Sequence, residues 1–150
     1  MDINHAQAIF PLKGKVLNTI SAPMSKVKEN KELQDLVSAL GCGMGENLRL
    51  DKLRYGKVVI MTDADSDGMH IAALLLGFFF RCMRPLIEAG HIYIALSPLF
   101  RIKVGSGKKE DQHWVFSEVE RDKVLKKIGT KELVLKHQHL LLIFALMFYI

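Results

Sequence analysis

Cysteine is scarce in this sequence: Cys42 and Cys82 stand alone, without the spacing of a metal-ligand set. They offer no disulfide framework and read as reduced, buried thiols of a cytosolic protein. A secretory signal is missing too, because Met1-Asp2-Ile3-Asn4-His5 is polar and lacks a basic start and a long apolar core. Neither sign of charge dominates. The net charge of +5 tolerates a polyanionic partner, and a solvated basic surface accounts for it equally well. No apolar run reaches membrane length. The run 140–150 is about half of the roughly 20 residues a span needs, and Lys136, His137 and His139 block its extension. No membrane is therefore expected. His137 and His139 have no companions that would make them a metal site.

What remains is an ordinary globular composition. With 150 residues, 49% of them hydrophobic and 25% charged, the chain can build one domain with a real core. Pro and Gly punctuate residues 7 to 20, predicting an extended or looped basic element. Met24, Val27, Leu33, Leu36, Val37 and Leu40 share a helical face over 24–40, and Gly41, Gly43 and Gly45 stop that helix. The glycines do not form a phosphate loop: they follow a helix and lack a Gly-Lys-Ser/Thr ending.

The most informative stretch is Asp63-Ala64-Asp65-Ser66-Asp67-Gly68. A predicted strand over 57–62 leads into it, and a helix over roughly 69–83, apolar almost all round, leads out. Pro85 ends or kinks that helix, and a second strand follows over 91–96. Strand, helix and strand at this spacing form a βαβ unit, whose ligands sit beyond the carboxyl ends of the strands. Further on, 98–104 and 114–116 read as a hairpin around a turn at 105–109, and Ser117 caps a helix.

Carboxylates crowded at a strand end repel one another, so a cation such as Mg²⁺ is expected among them, and such sites commonly act on phosphates. Asp67 could instead cap the helix. An EF-hand is excluded because its twelfth loop position, which must be Glu, is Leu74, and because a strand enters the loop. A haloacid dehalogenase-type phosphatase shares the strand-end Asp-x-Asp. That enzyme needs an acidic pair on later strands, and nothing after residue 90 supplies one: Glu118 and Glu120 begin a helix.

The flanking segments carry a closer likeness. Pro11-Leu12-Lys13-Gly14-Lys15-Val16-Leu17-Asn18, Asn30-Lys31-Glu32-Leu33, Ala39-Leu40-Gly41, Leu53-Arg54-Tyr55-Gly56-Lys57, the aspartate turn, His70-Ile71, Glu88-Ala89-Gly90-His91 and Ser97-Pro98-Leu99-Phe100-Arg101-Ile102 occur in this order. From about residue 6 to about 128 the chain closely resembles the Toprim region of bacterial type IIA topoisomerase B subunits. Leu53-Arg54-Tyr55-Gly56-Lys57, with the aspartate turn, looks nearer the topoisomerase IV relatives than the gyrase ones.

The resemblance implies an α/β fold, a Toprim-type parallel sheet with flanking helices. It is expected to be incomplete at its N-terminus and to carry a divergent apolar tail at its C-terminus. Three stretches follow: a basic DNA-side segment over 1–23, a partial Toprim domain over 24–128, and the tail over 129–150. It further implies that Asp63 and Asp65 are catalytic Mg²⁺ ligands with Asp67 as an auxiliary acid, acting on double-stranded DNA with a topoisomerase A subunit. Lys13, Lys15 and Asn18 would lie along the DNA; the competing reading is that they are merely solvated loop charges. His70 either orients a carboxylate or phosphate or simply starts the helix. The family's catalytic Glu, in a Glu-Gly-Asp-Ser segment expected before residue 6, is not in this sequence, and Glu29 and Glu32 sit in a helix. The ATP-binding region of the parent enzyme is not in it either. The alternative is an inactive remnant that only binds DNA or the A subunit.

Overall fold

The computed structural model describes residues 7–104, 111–128, 134–136 and 145–149. In chain order they form β1 (Gln7–Pro11), α1 (Met24–Glu29), α2 (Lys31–Leu40), β2 (Lys57–Met61), α3 (Ser66–Cys82), α4 (Arg84–Glu88), β3 (Ile92–Ile94), β4 (Phe100–Val104), β5 (Asp111–Val115), α5 (Glu118–Ile128), β6 (Val134–Lys136) and β7 (Ala145–Tyr149).

The helix expected over 24–40 is two helices. Asn30 is extended, and its side chain accepts the Leu33 amide, so it ends α1 and caps α2. Gly41 closes α2 in the left-handed region at φ 75°, with its amide on the Val37 carbonyl, a conformation that costs glycine little. The acidic turn also departs from expectation: α3 begins at Ser66, inside it. Ile71, Leu75, Phe78 and Phe79 of α3 are buried, but Met69 and Phe80 are 66% and 54% exposed, so the helix is not apolar-packed all round. Pro85 stands in the first turn of α4, where no intrahelical amide is needed.

The main sheet has the order β1-β7-β2-β3. β2 and β3 are parallel, pairing Val58 with Ile92 and Ile60 with Ile94. β7 lies between β1 and β2 and is antiparallel to both, so β1, β2 and β3 run the same way. The sheet is thus α/β with a parallel pair and flanking helices, but its strand from the apolar end is antiparallel. Rows such as Phe10, Leu146 and Ile60, or Ala8, Phe148 and Val58, line up across three strands. Leu146, Phe148, Val58 and Ile60 are buried with Leu12, Val16, Leu36, Leu75 and Phe78 in one core. That core runs through all three stretches distinguished in the sequence. Pro11 is tolerated because β1 is an edge strand.

A second, smaller sheet has the order β5-β4-β6. Its cluster of Phe100, Ile102 and Val115 packs against Val124, Leu125 and Ile128 of α5. Ser117 Oγ accepts the Glu120 amide while the Glu120 carboxylate accepts the Phe116 amide, a reciprocal cap at the start of α5. The turn expected at 105–109 and the histidines 137 and 139 lie outside the described residues. No described helix is long and apolar enough to cross a membrane. Cys42 and Cys82 are free and buried, and burial pushes both thiols up.

Candidate metal and nucleic-acid site

β2 alternates outward and core-facing residues and ends at Met61; the chain then turns directly into α3. Asp63 and Asp65 therefore sit beyond the carboxyl end of a parallel strand, at a helix N-terminus. The turn is tight. A Cβ on Gly68 would lie 2.9 Å from the Asp63 carbonyl carbon and closer still to its oxygen, so only glycine fits there. Ser97 fastens the other side: its hydroxyl donates to the Thr62 carbonyl at 2.7 Å. A largely apolar cleft of about 500 Å³ lies beside Asp63, lined by Met69, Ala72, Leu76 and Leu96 among others.

Asp65 and Asp67 take different roles. Asp65 is extended (φ −118°, ψ 178°), and its Oδ1 accepts the Gly68 amide at 2.7 Å. The helix cap foreseen as an option for Asp67 is therefore Asp65. Asp67, in the first turn of α3, is exposed and forms an ion pair with Lys15 Nζ at 2.8 Å. The hydrogen bond and charge of Lys15, with a smaller contribution from His70, hold the Asp67 carboxyl below its ordinary range. His70 is exposed on the same helix.

The basic loop after β1 is positioned by contacts that no motif announced. The Lys13 amide donates to Glu32 Oε1 at 2.9 Å, which ties the loop to the first turn of α2. Asn18 Oδ1 accepts the Ile20 amide at 3.1 Å and its carbonyl accepts the Ala22 amide, so Asn18 builds the turn that follows. Arg81 Nη1, from the last turn of α3, donates to the carbonyls of Thr19 and Ala22. Ile20 packs against Gly77, where a Cβ would meet its Cγ1 at 3.1 Å. Lys15 thus joins the acidic turn; Lys13 and Asn18 stand on the same loop without pairing to an aspartate among the described contacts.

Hard carboxylate oxygens suit Mg²⁺, which keeps several waters and is held through one or two carboxylates. Asp63 and Asp65 fit that demand. Among the described residues no three His, Cys, Asp or Glu side chains converge on a point that could hold a metal.

The Toprim domain model matches residues 2–96, more than half of the chain. The chain belongs to the Toprim family. Its Toprim region thus ends just after β3, and both the small sheet and β7 lie beyond it. It is similar to the B subunit of DNA topoisomerase 4 from Bacillus subtilis, at 48% identity over 123 residues, covering 82% of this chain and 19% of that protein. Against the Streptococcus pneumoniae counterpart, identity is 46% with the same coverage. The DNA gyrase B subunit of Chlamydia muridarum is 50% identical over 127 residues, 84% of this chain and 15% of that one. This Toprim chain therefore spans less than a fifth of the length of these relatives, and is about as similar to the gyrase protein as to the topoisomerase 4 proteins.

Proposed function

We propose that this chain is the Toprim portion of an ATP-dependent type II DNA topoisomerase B subunit, in which Asp63 and Asp65 hold Mg²⁺ for DNA cleavage and religation with an A subunit. One observation carries the reading: β2 delivers both carboxylates to the N-terminus of α3, and Lys15 of the basic loop reaches the same turn. Bound there, Mg²⁺ would stabilise charge on the attacking and leaving oxygens of a phosphodiester. The chain's own residues supply the setting. Asp65 fixes the turn while presenting its carboxylate, and the loop of Lys13, Lys15 and Asn18 lays cationic and polar groups along the path of a DNA backbone. His70, in the same helix, steadies Asp67 through its charge. ATP serves the parent enzyme outside these residues.

Mg²⁺ held through one or two carboxylates keeps most of its waters, so the chain by itself is expected to bind it weakly and to leave supercoiled plasmid intact. Calorimetric titration with Mg²⁺ is the test, and D63N/D65N should abolish the binding; unchanged binding sinks the metal assignment. Relaxation of plasmid by the chain without an A subunit would refute the division of labour between the two. Lys13 and Lys15 on one tethered loop also favour a second reading, a remnant that binds DNA without chemistry. Duplex binding that survives D63N/D65N but is lost in K13M/K15M supports that role.

A further inference from the structure

Asp67 already has a cation. Lys15 Nζ lies 2.8 Å from Asp67 Oδ1, and the two side chains come from loop and helix segments far apart in sequence. The pairing is not incidental to a floppy loop. The Lys13 amide is anchored on Glu32, Val16 is buried in the core, and the turn at 18–22 is pinned by Arg81. The loop is therefore tethered on both sides of Lys15, and its ammonium is delivered to the acidic turn by a fixed scaffold. Asp65 is committed to the Gly68 amide through one oxygen, and the charge of Asp67 is met by the Lys15 ammonium.

We propose that Lys15 is a built-in competitor of the divalent cation at Asp67: the ammonium holds that carboxylate until Mg²⁺ displaces it. The inference rests on the reading of the aspartate turn as a Mg²⁺ site. An ammonium and a divalent cation cannot both sit against one carboxylate without repelling each other, so entry of the metal must turn Lys15 away. The displaced ammonium then points from a loop that already carries Lys13, where a phosphate oxygen is its natural next partner. Exposed pairs of this kind contribute little, so the competition is modest and dissolves in salt.

The experiment is Mg²⁺ titration of the 150-residue chain by calorimetry in low salt, comparing wild type, K15M, K13M and D67N. K15M and K13M remove the same charge from the same loop, and of the two only Lys15 pairs with Asp67 among the described contacts. Competition predicts that K15M tightens Mg²⁺ binding by about two- to five-fold and K13M by less. It also predicts that the extra gain of K15M disappears in high salt and in a D67N background. K15M indistinguishable from K13M, or a gain that persists in D67N, overturns the exchange while leaving the metal site standing. Mg²⁺ binding that persists in D63N/D65N overturns the site itself and the exchange with it. Circular dichroism melts of each variant confirm that all are folded.

Discussion

Asp65 Oδ1 accepts the Gly68 amide at 2.7 Å, so an aspartate proposed to hold Mg²⁺ is at the same time the N-cap of α3. Two jobs in one side chain can be separated by chemistry. Asn caps about as well as Asp but carries no charge, whereas Ala does neither. D65A should lose about 1 kcal/mol of stability as well as metal affinity. D65N should lose metal affinity while keeping most of the stability, apart from the small share that a negative charge contributes at a helix N-terminus. Urea denaturation beside Mg²⁺ titration reads both. Equal destabilisation by the two variants would mean that the cap contributes nothing.

Gly68 makes the turn possible in a different way. A Cβ there meets the Asp63 backbone, which cannot swing aside like a side-chain tip. G68A should force α3 away from the end of β2, at a cost of roughly 1–3 kcal/mol or more, as for other overpacked sites. Mg²⁺ affinity should fall in parallel, because Asp63 and Asp65 move apart. A G68A chain with wild-type melting temperature and affinity would show that the turn is looser than described.

Arg81 tests the scaffold of the basic loop. It lies at the far end of α3 from the aspartates, yet its guanidinium holds two carbonyls of the turn at 18–22. R81A should speed amide exchange locally over residues 19–22 and weaken duplex binding through the loosened loop. Global stability should change little, since Arg81 is exposed and outside the core. R81K should restore only part of the protection, because a single ammonium does not reproduce a planar fork. Uniform acceleration of exchange across the core would refute the local role.

The part of this molecule that could be read from sequence is the part governed by local rules. Strand 57–62 followed by an acidic turn and an apolar helix is a change of hydrophobic period, and it appears as such in β2 and α3. Ser117 with Glu120, and Gly41 after Leu40, are signals confined to four or five residues, and both function as caps. The choice of Asp65 over Asp67 as the cap was out of reach, because it depends on which residue is extended just before the first helical turn. The Lys15–Asp67 pair, Glu32 on Lys13 and Arg81 on Thr19 depend on how distant segments are packed. Composition says only that the charges exist.

The apolar end of the chain shows the same limit most clearly, and gives the last prediction. Leu140 to Ile150 reads as an apolar tail, since a short unbroken apolar run has no diagnostic period that would mark a strand. What makes 145–149 a strand is the pair of edges it meets: β1 on one side and β2 on the other, each paired to it over five residues. Phe148 is 2% exposed, stacks on Tyr55 at 4.7 Å between ring centroids, and approaches Phe10 at 6.4 Å. F148A should therefore cost about 3–5 kcal/mol, the range for a buried Phe, against a typical total of roughly 5–15 kcal/mol. Ile9 lies on the same sheet but is 63% exposed, and I9A should fall within about 0.5 kcal/mol of wild type. Urea midpoints decide. If F148A behaves like I9A, β7 does not complete the sheet in solution, and the parallel strands β1 and β2 that it joins must be held together by something else.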